Sequence, residues 1–184
     1  MTTNFMRAIF ALSLVAALLP RVEAQENDPL SVIQRLNAAV KAGDVDATVA
    51  LFADDAVIVN TRGKRTEGKS AIRAFWSSTI SEGASGTPPT TATVAGDKVS
   101  WSKGVTNNFY LQLGVAPVTH VSEATVRDGK ITRYAGYILH PEINRIEKAC
   151  AAPQAAGILL FGSSCASYVQ AARANTDATL AVPR

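Results

Sequence analysis

The pattern of apolar and polar positions is helical first and β-like afterwards. Asp28 and Pro29 precede apolar residues at positions 32, 33, 36, 39 and 40, and Gly43 follows them. A polar cap, an early proline, a stripe at intervals of three and four, and a closing glycine predict a first helix. Asp44 can cap a second, short helix that ends at residue 52, and a third helix is predicted over residues 69–79.

Strand signals follow the helices. Residues 57–59 predict a short strand before a turn at residues 61–64, and β-branched and aromatic residues dominate from residue 90. We predict further strands over residues 90–94, 99–102, 105–113, 118–127 and 131–139, with hairpin turns at residues 96–97 and 128–129. Helices followed by antiparallel strands are the α+β pattern, here a curved sheet folded around the helices.

Residues 141–184 return to a helical pattern. Helices are predicted over residues 142–152 and 163–174, separated by residues 153–162. The segment 157–161 is too apolar to remain in water, so we expect it to pack against the domain or against a second chain.

The first 24 residues predict an export signal. Arg7 precedes an apolar run over residues 8–19, and a small-x-small cleavage pattern ends at Ala24. The run is shorter than the roughly 20 residues that a membrane-spanning helix needs. We therefore expect an exported mature chain, periplasmic or secreted, that has no membrane association after cleavage; a buried helix of the domain is the alternative.

Export would permit a disulfide between Cys150 and Cys165, the two cysteines of the chain. Their spacing is not that of a redox Cys-x-x-Cys, and no His or acidic ligands lie close by to complete a metal site. A net charge of +3 is too small to indicate nucleic acid, and 47% apolar residues exclude long disorder. We predict a structural bridge, with no metal and no cofactor.

Four segments have a familiar order and spacing: AVKAGD at 39–44, LFADDAV at 51–57, EGKSAIRAFW at 67–76 and VRDGKI at 126–131. Together they resemble the nuclear transport factor 2-like superfamily, and its SnoaL-like branch most closely, over residues 28–140. The resemblance implies a cystatin-like α+β roll: a conical, curved antiparallel sheet wrapped around three N-terminal helices and one apolar pocket. Residues 141–184 would be an added helical extension. Members include ketosteroid isomerases, limonene-epoxide hydrolases, polyketide cyclases and non-catalytic proteins, so function must be argued from pocket residues.

The resemblance places the isomerase base at Asn60, its tyrosine at Leu36 and its second acid near Ser122. None of these residues can perform the corresponding role, so the isomerase mechanism is disfavoured. The epoxide hydrolases share Asn60, but Ile58 stands where their tyrosine would be, and their Asp-Arg-Asp set is missing. The cyclases need a pocket carboxylate, and strand parity turns Glu123 away from the pocket unless the register slips by one.

The same parity, with Ser122 at the inward position that the resemblance implies, puts His120 and Ser122 on the pocket face. The resemblance adds Asn60, and Tyr134 completes the predicted polar set. Leu36, Phe75 and Trp76 are the predicted apolar lining. His120 titrates near neutrality and is the natural general base, and Tyr134 can donate to a ligand carbonyl. Both residues are more often structural, and that alternative stays open.

Other polar and aromatic residues have less specific interpretations. Trp101 and Tyr110, on predicted strands, could line an open sheet face where two chains pair as a homodimer. His140, beside Pro141 at the end of the last predicted strand, is expected at the pocket rim. The pair Asp54 and Asp55 is expected to shape the corner after the second helix rather than to hold a metal.

Two functional hypotheses follow. The first is a conical pocket that holds a small apolar or aromatic molecule, with cofactor-free acid-base chemistry of cyclase, isomerase or hydrolase type. The alternative is a non-catalytic, dimeric ligand-binding or protein-interaction module. Pocket volume separates them, because a cavity below roughly 300 Å³ would disfavour an enzyme.

Overall fold

The computed structural model describes residues 27–87, 91–160 and 162–182, so the predicted signal segment lies outside the described residues. The helices are α1 (Pro29–Ala42), α2 (Val45–Ala50), α3 (Lys69–Ser81), α4 (Asn108–Gln112), α5 (His140–Cys150) and α6 (Cys165–Leu180), with a 3-10 turn at Pro153–Ala155. The strands are β1 (Phe52–Val59), β2 (Arg65–Glu67), β3 (Ser85–Gly86), β4 (Thr91–Ala95), β5 (Lys98–Thr106), β6 (Val118–Arg127), β7 (Lys130–Ile138), β8 (Leu159–Leu160) and β9 (Ser163–Ser164).

Helix α1 forms where the sequence predicts it and for the predicted reasons. The Asp28 carboxylate accepts a hydrogen bond from the Ser31 backbone N–H at 3.0 Å, and Pro29 occupies the first turn. Gly43 ends the helix with φ of 72°, a left-handed conformation that costs little without a Cβ. The buried face presents Val32 and Ile33 to the sheet.

The main sheet is curved, unclosed and mixed rather than wholly antiparallel. Its order is β2-β1-β7-β6-β5-β3, with β4 also paired to β5. Every pair is antiparallel except β1 with β7, which run parallel. The α+β class and the curved sheet around the helices are confirmed, and the parallel pair is a correction to the antiparallel prediction.

The predicted strand over residues 105–113 is wrong. Strand β5 continues unbroken from Lys98 to Thr106, so the predicted strand 99–102 is only part of it. The chain then turns into helix α4, because the Asn107 side chain accepts a hydrogen bond from the Tyr110 backbone N–H at 2.8 Å and caps the helix. A local side-chain cap thus overrides the β propensity of the aromatic residues that follow.

A second correction concerns the start of the sheet. Helix α2 ends at Ala50, and Phe52 already belongs to β1, where it pairs with Ile131 of β7. Phe52 is fully buried there, so tertiary burial decides its conformation over helix propensity. The sequence pattern located the last three residues of this strand and missed its beginning.

The apolar interior has two parts. The first lies between helices α1 to α3 and the inner face of the sheet, and includes Ile33, Ile72 and Trp101. The second is built from α4, the far ends of β6 and β7, and helices α5 and α6; it includes Phe109 and Tyr168. The C-terminal helices therefore bury apolar surface against the sheet.

Cys150 and Cys165 form the predicted disulfide, with Cα atoms 5.7 Å apart. The bridge joins the end of α5 to the start of α6. In the intervening segment Ile158 packs against the second part of the core, as predicted, while Leu159 is 57% exposed and Phe161 lies outside the described residues. Among the described residues, none of the helices combines the length and apolarity required to cross a bilayer.

Candidate functional site

A cavity of about 120 Å³ lies between helices α1 and α3 and the inner face of strands β5, β6 and β7. Helices α4 and α6 close its far side with Tyr110 and Tyr168. The lining is mainly apolar, and most of its polar members are contributed by the sheet and by the segments that follow β1, α3 and β5. These polar members include Asn60, Thr61, Arg62, Glu82, Lys103, Asn107, His120, Ser122 and Tyr134.

Tyr134 and Ser122 form one polar point in this wall. The Tyr134 hydroxyl lies 3.2 Å from the Ser122 Oγ, and either can donate. The Tyr134 ring meets the rings of Trp76 and Trp101 edge to face, at centroid distances of 5.9 and 5.8 Å. The two indoles thus hold the phenol in one orientation, which suits a fixed hydrogen-bonding group.

A second polar point is a chain of three side chains. The Tyr110 hydroxyl lies 2.9 Å from His120 Nε2 and 2.6 Å from the Tyr168 hydroxyl. Tyr110 comes from α4, His120 from β6 and Tyr168 from α6, so the chain joins the sheet to the C-terminal helices. Burial raises the pKa of both tyrosines, and that of Tyr110 rises well above its usual value.

His120 is held in its neutral form. Burial and, to a smaller extent, the nearby positive charge of Lys103 together lower the pKa of its imidazole to about 3. A base with that pKa binds a proton weakly at neutral pH, where a general base works best with a pKa close to the working pH. The geometry therefore favours His120 as a hydrogen-bonding partner of Tyr110.

Asn60 lines the cavity but also shapes the turn after β1. Its side-chain oxygen accepts hydrogen bonds from the backbone N–H groups of Arg62 and Lys64, both at 3.0 Å. This is an Asx-type turn, in which the side chain replaces a backbone acceptor. Replacing Asn60 would disturb this turn as well as the cavity wall. A substitution of Tyr134 is therefore the more specific test of ligand binding.

The remaining predicted site residues divide into lining and core. Phe75 and Trp76 line the cavity, while Leu36 lies 2% exposed in the first part of the core and is not among the lining residues. Val40, one turn further along α1, takes the place predicted for Leu36. Glu123 alternates with the buried Ser122 and Ala124 and is not part of the wall.

The proposal that Trp101 and Tyr110 line an open sheet face is wrong. Trp101 is 2% exposed beside Tyr134, and Tyr110 lies on a helix, 1% exposed, beside His120. Both rings face the interior. For Tyr110 the strand assignment for residues 105–113 was the source of the error, whereas Trp101 lies on a strand as predicted and faces the core side of the sheet.

Sequence reasoning missed several residues of the wall, among them Glu82, Lys103 and Tyr168. Glu82 ends α3, Lys103 lies in the middle of β5, and Tyr168 lies in α6. Lys103 donates from Nζ to the Asn37 Oδ1 at 2.9 Å. No local motif marks any of them, since each reaches the cavity only through packing of its element.

His140 and Asp54 have partners outside the cavity wall. The His140 Nε2 lies 2.7 Å from Asp177 Oδ1, so His140 joins the start of α5 to α6. Asp54 pairs with Lys69 at 2.8 Å on the surface, which lowers the pKa of its carboxyl through that hydrogen bond. Across residues 27–87, 91–160 and 162–182, no three His, Cys, Asp or Glu side chains gather as a metal site.

Helix α6 is tied to the rim of the cavity by side-chain hydrogen bonds. The Asn175 amide donates to the backbone oxygens of Asn60 and Thr61, both at 3.3 Å, and of Gly136 at 3.1 Å. The Thr176 hydroxyl donates to the Ile138 oxygen at 2.6 Å and is fully buried. These bonds satisfy carbonyls at the ends of β1 and β7, so the position of α6 is fixed against the sheet.

Comparison with known proteins agrees with this architecture. Residues 33–134 match the model of the SnoaL-like domain, which ends before α5 and α6 begin. A putative polyketide cyclase from Sinorhizobium meliloti is 29% identical, with a TM-score of 0.51, over 57% of this chain and 92% of its own.

Two further solved structures share the fold. An epoxide hydrolase/cyclase-like enzyme with a role in pyran ring formation in the polyether salinomycin is 20% identical, with a TM-score of 0.56, over 64% of this chain and 95% of its own. A cystatin-fold protein from Novosphingobium aromaticivorans is 24% identical, with a TM-score of 0.50, over 59% of this chain and 96% of its own.

Proposed function

The chain belongs to the SnoaL-like domain family, and from this membership we propose that it binds a small, largely apolar molecule in its conical pocket. The observation that carries the proposal is the pair of fixed hydroxyls, Tyr134 and Ser122, set in a wall of aromatic rings. An apolar cavity with a few oriented polar groups is the usual form of a small-molecule site.

The size of the cavity restricts the ligand. Its volume of about 120 Å³ is below the roughly 300 Å³ that we set as the threshold for an enzyme pocket. It is close to the ~150 Å³ of an engineered apolar cavity that binds benzene. We therefore favour binding of a compact molecule over turnover of a polycyclic one.

Acid-base chemistry is the second candidate function. His120, the base expected from the sequence, is a weak one because of its lowered pKa. Glu82 supports this candidate instead, because it is the one carboxylate among the described residues that line the cavity. A pocket carboxylate can remove a proton next to a carbonyl while hydroxyl donors elsewhere in the same wall stabilise the oxygen.

Export after cleavage near Ala24 and pairing of two chains through the sheet face stay predictions from the sequence. Periplasmic or secreted placement would suit the Cys150–Cys165 bridge, since disulfides persist in oxidising compartments. Neither property is needed for the binding proposal, which depends on the cavity wall alone.

We expect the full chain to bind benzyl alcohol, a single ring with one hydroxyl, and Tyr134→Phe to weaken that binding about three- to tenfold. One hydrogen bond of about 1 kcal/mol accounts for the loss, while the ring stays in place. Protein-detected NMR titration measures both dissociation constants. Tyr137→Phe is the matched control, because Tyr137 is buried on the same strand and is not among the lining residues.

Equal affinities of the Tyr134→Phe and Tyr137→Phe variants would remove Tyr134 from the site. No saturable shift of the cavity resonances with benzyl alcohol would contradict the binding proposal itself.

The acid-base candidate predicts that the protein speeds deuterium incorporation next to the carbonyl of cyclohexanone in D₂O. Glu82→Gln, which keeps the shape and removes the base, should lower the rate at least about a hundredfold, as loss of a general base does. Glu123→Gln on the opposite sheet face is the control. Retained exchange in Glu82→Gln would exclude Glu82 as the base, and equal rates with and without wild-type protein would exclude the chemistry.

A further inference from the structure

Tyr168 belongs to the part of the chain that the family match does not include. The match ends at residue 134, and Tyr168 lies in α6, where it lines the cavity. A ring from outside the matched segment therefore forms part of a pocket whose other walls come almost entirely from within it. Residues 33–134 alone would therefore form a pocket without the Tyr168 ring in its wall.

The Tyr168 ring is held in place on several sides. It is 1% exposed, its hydroxyl lies 2.6 Å from that of Tyr110, and its centroid lies 5.1 Å from that of Phe109. Cys165, three residues earlier, is bridged to Cys150, and Thr176, further along the same helix, is bonded to β7. With its helix secured on both sides of Tyr168, the ring is a fixed boundary of the cavity.

We propose that Tyr168 sets the upper size limit of the ligand, so that the pocket accepts one six-membered ring with a hydroxyl or carbonyl group and excludes two fused rings. The inference rests on the proposed function and names its ligand class. About 120 Å³ suits one ring, and Tyr168 is one of the aromatic side chains that bound this volume. Close-packed walls do not expand without cost, so the limit is steric.

The test compares benzyl alcohol with 1-naphthalenemethanol, which differ by one fused ring and carry the same hydroxymethyl group. In the wild-type protein we expect the two-ring alcohol to bind at least about tenfold more weakly, although its larger apolar surface would otherwise favour it. In Tyr168→Leu we expect this preference to fall at least about tenfold, through tighter binding of the two-ring alcohol.

Two control variants distinguish the effect of the Tyr168 ring on ligand size from the effect of its hydroxyl and from a general loss of stability. Tyr168→Phe keeps the ring and should keep the wild-type preference. Tyr137→Leu, at a buried tyrosine that does not line the cavity, should also keep it. The wild-type measurement tests the limit even where a variant fails to fold.

Equal binding of both alcohols by the wild-type protein would overturn the size limit and leave the proposed function standing. An unchanged preference in a folded Tyr168→Leu would exclude Tyr168 as its cause. Failure of both alcohols to bind any form of the protein would overturn the proposed function and this inference together.

Discussion

Lowering the pH from about 6.5 to about 3 is expected to remove roughly 3 to 4 kcal/mol of folding stability through His120 alone. The pKa of this histidine in the folded chain is lowered to about 3 from an ordinary value of 6.5. Between these two pH values the imidazole is protonated in the unfolded chain and neutral in the folded chain, so acid favours unfolding. The stabilisation is complete above pH 6.5 and decreases by about 1.36 kcal/mol per pH unit as the pH falls. His120 is partly exposed, so we expect a smaller loss of stability than the full pKa difference would give.

Urea unfolding of the wild type and of His120→Gln, repeated between pH 7 and pH 4, measures this contribution. The glutamine can accept from the Tyr110 hydroxyl in place of Nε2 and does not titrate. Carboxyl groups titrate in both proteins and cancel in the difference. Parallel pH profiles for wild type and His120→Gln would refute the assignment.

Removal of the disulfide by Cys150→Ala with Cys165→Ala should lower the free energy of unfolding by about 3 kcal/mol. The bridge closes a loop with a sequence separation of 15. Closing a loop of that length lowers the entropy of the unfolded chain and so stabilises the fold by about 3 kcal/mol. Alanine avoids leaving a hydroxyl or a free thiol at Cys165, which is buried. Urea unfolding under oxidising conditions gives the comparison.

Added reductant distinguishes the stability that the disulfide bond contributes from the stability that packing of the two sulfur atoms contributes. The wild type in reductant should approach the stability of the double variant, and the variant should not respond to reductant. A double variant as stable as the oxidised wild type would show that helices α5 and α6 are held by packing and by bonds such as Thr176 to Ile138.

The sequence was most informative where local signals and burial agree. The Asp28 cap, the stripe through Val32 and Ile33, and Gly43 specify α1 because each acts within a few residues. The alternation around Ser122 likewise placed Ser122 and His120 in the cavity wall and Glu123 outside it, since side chains alternate by strict geometry along a strand.

Prediction failed where a local cap or a distant contact decides the outcome. Asn107 turns an aromatic, β-prone segment into α4, and this moves Tyr110 from an expected sheet face to the interior. Phe52 adopts a strand because it is buried against β7, far away in sequence. Propensity is a weak prior in both cases, and tertiary context outweighs it.

By itself, the sequence determined the family, the α+β order of helices and strands, the Cys150–Cys165 pairing and six of the residues that line the cavity, because these depend on spacing and on elimination. The tertiary structure alone decided the chemistry of that wall. It buries His120 near Lys103, so the expected base is neutral. It also brings Tyr168 of α6 against Tyr110 of α4. The physical reason is that pKa values and cavity volumes arise from neighbours distant in sequence, which no local pattern encodes.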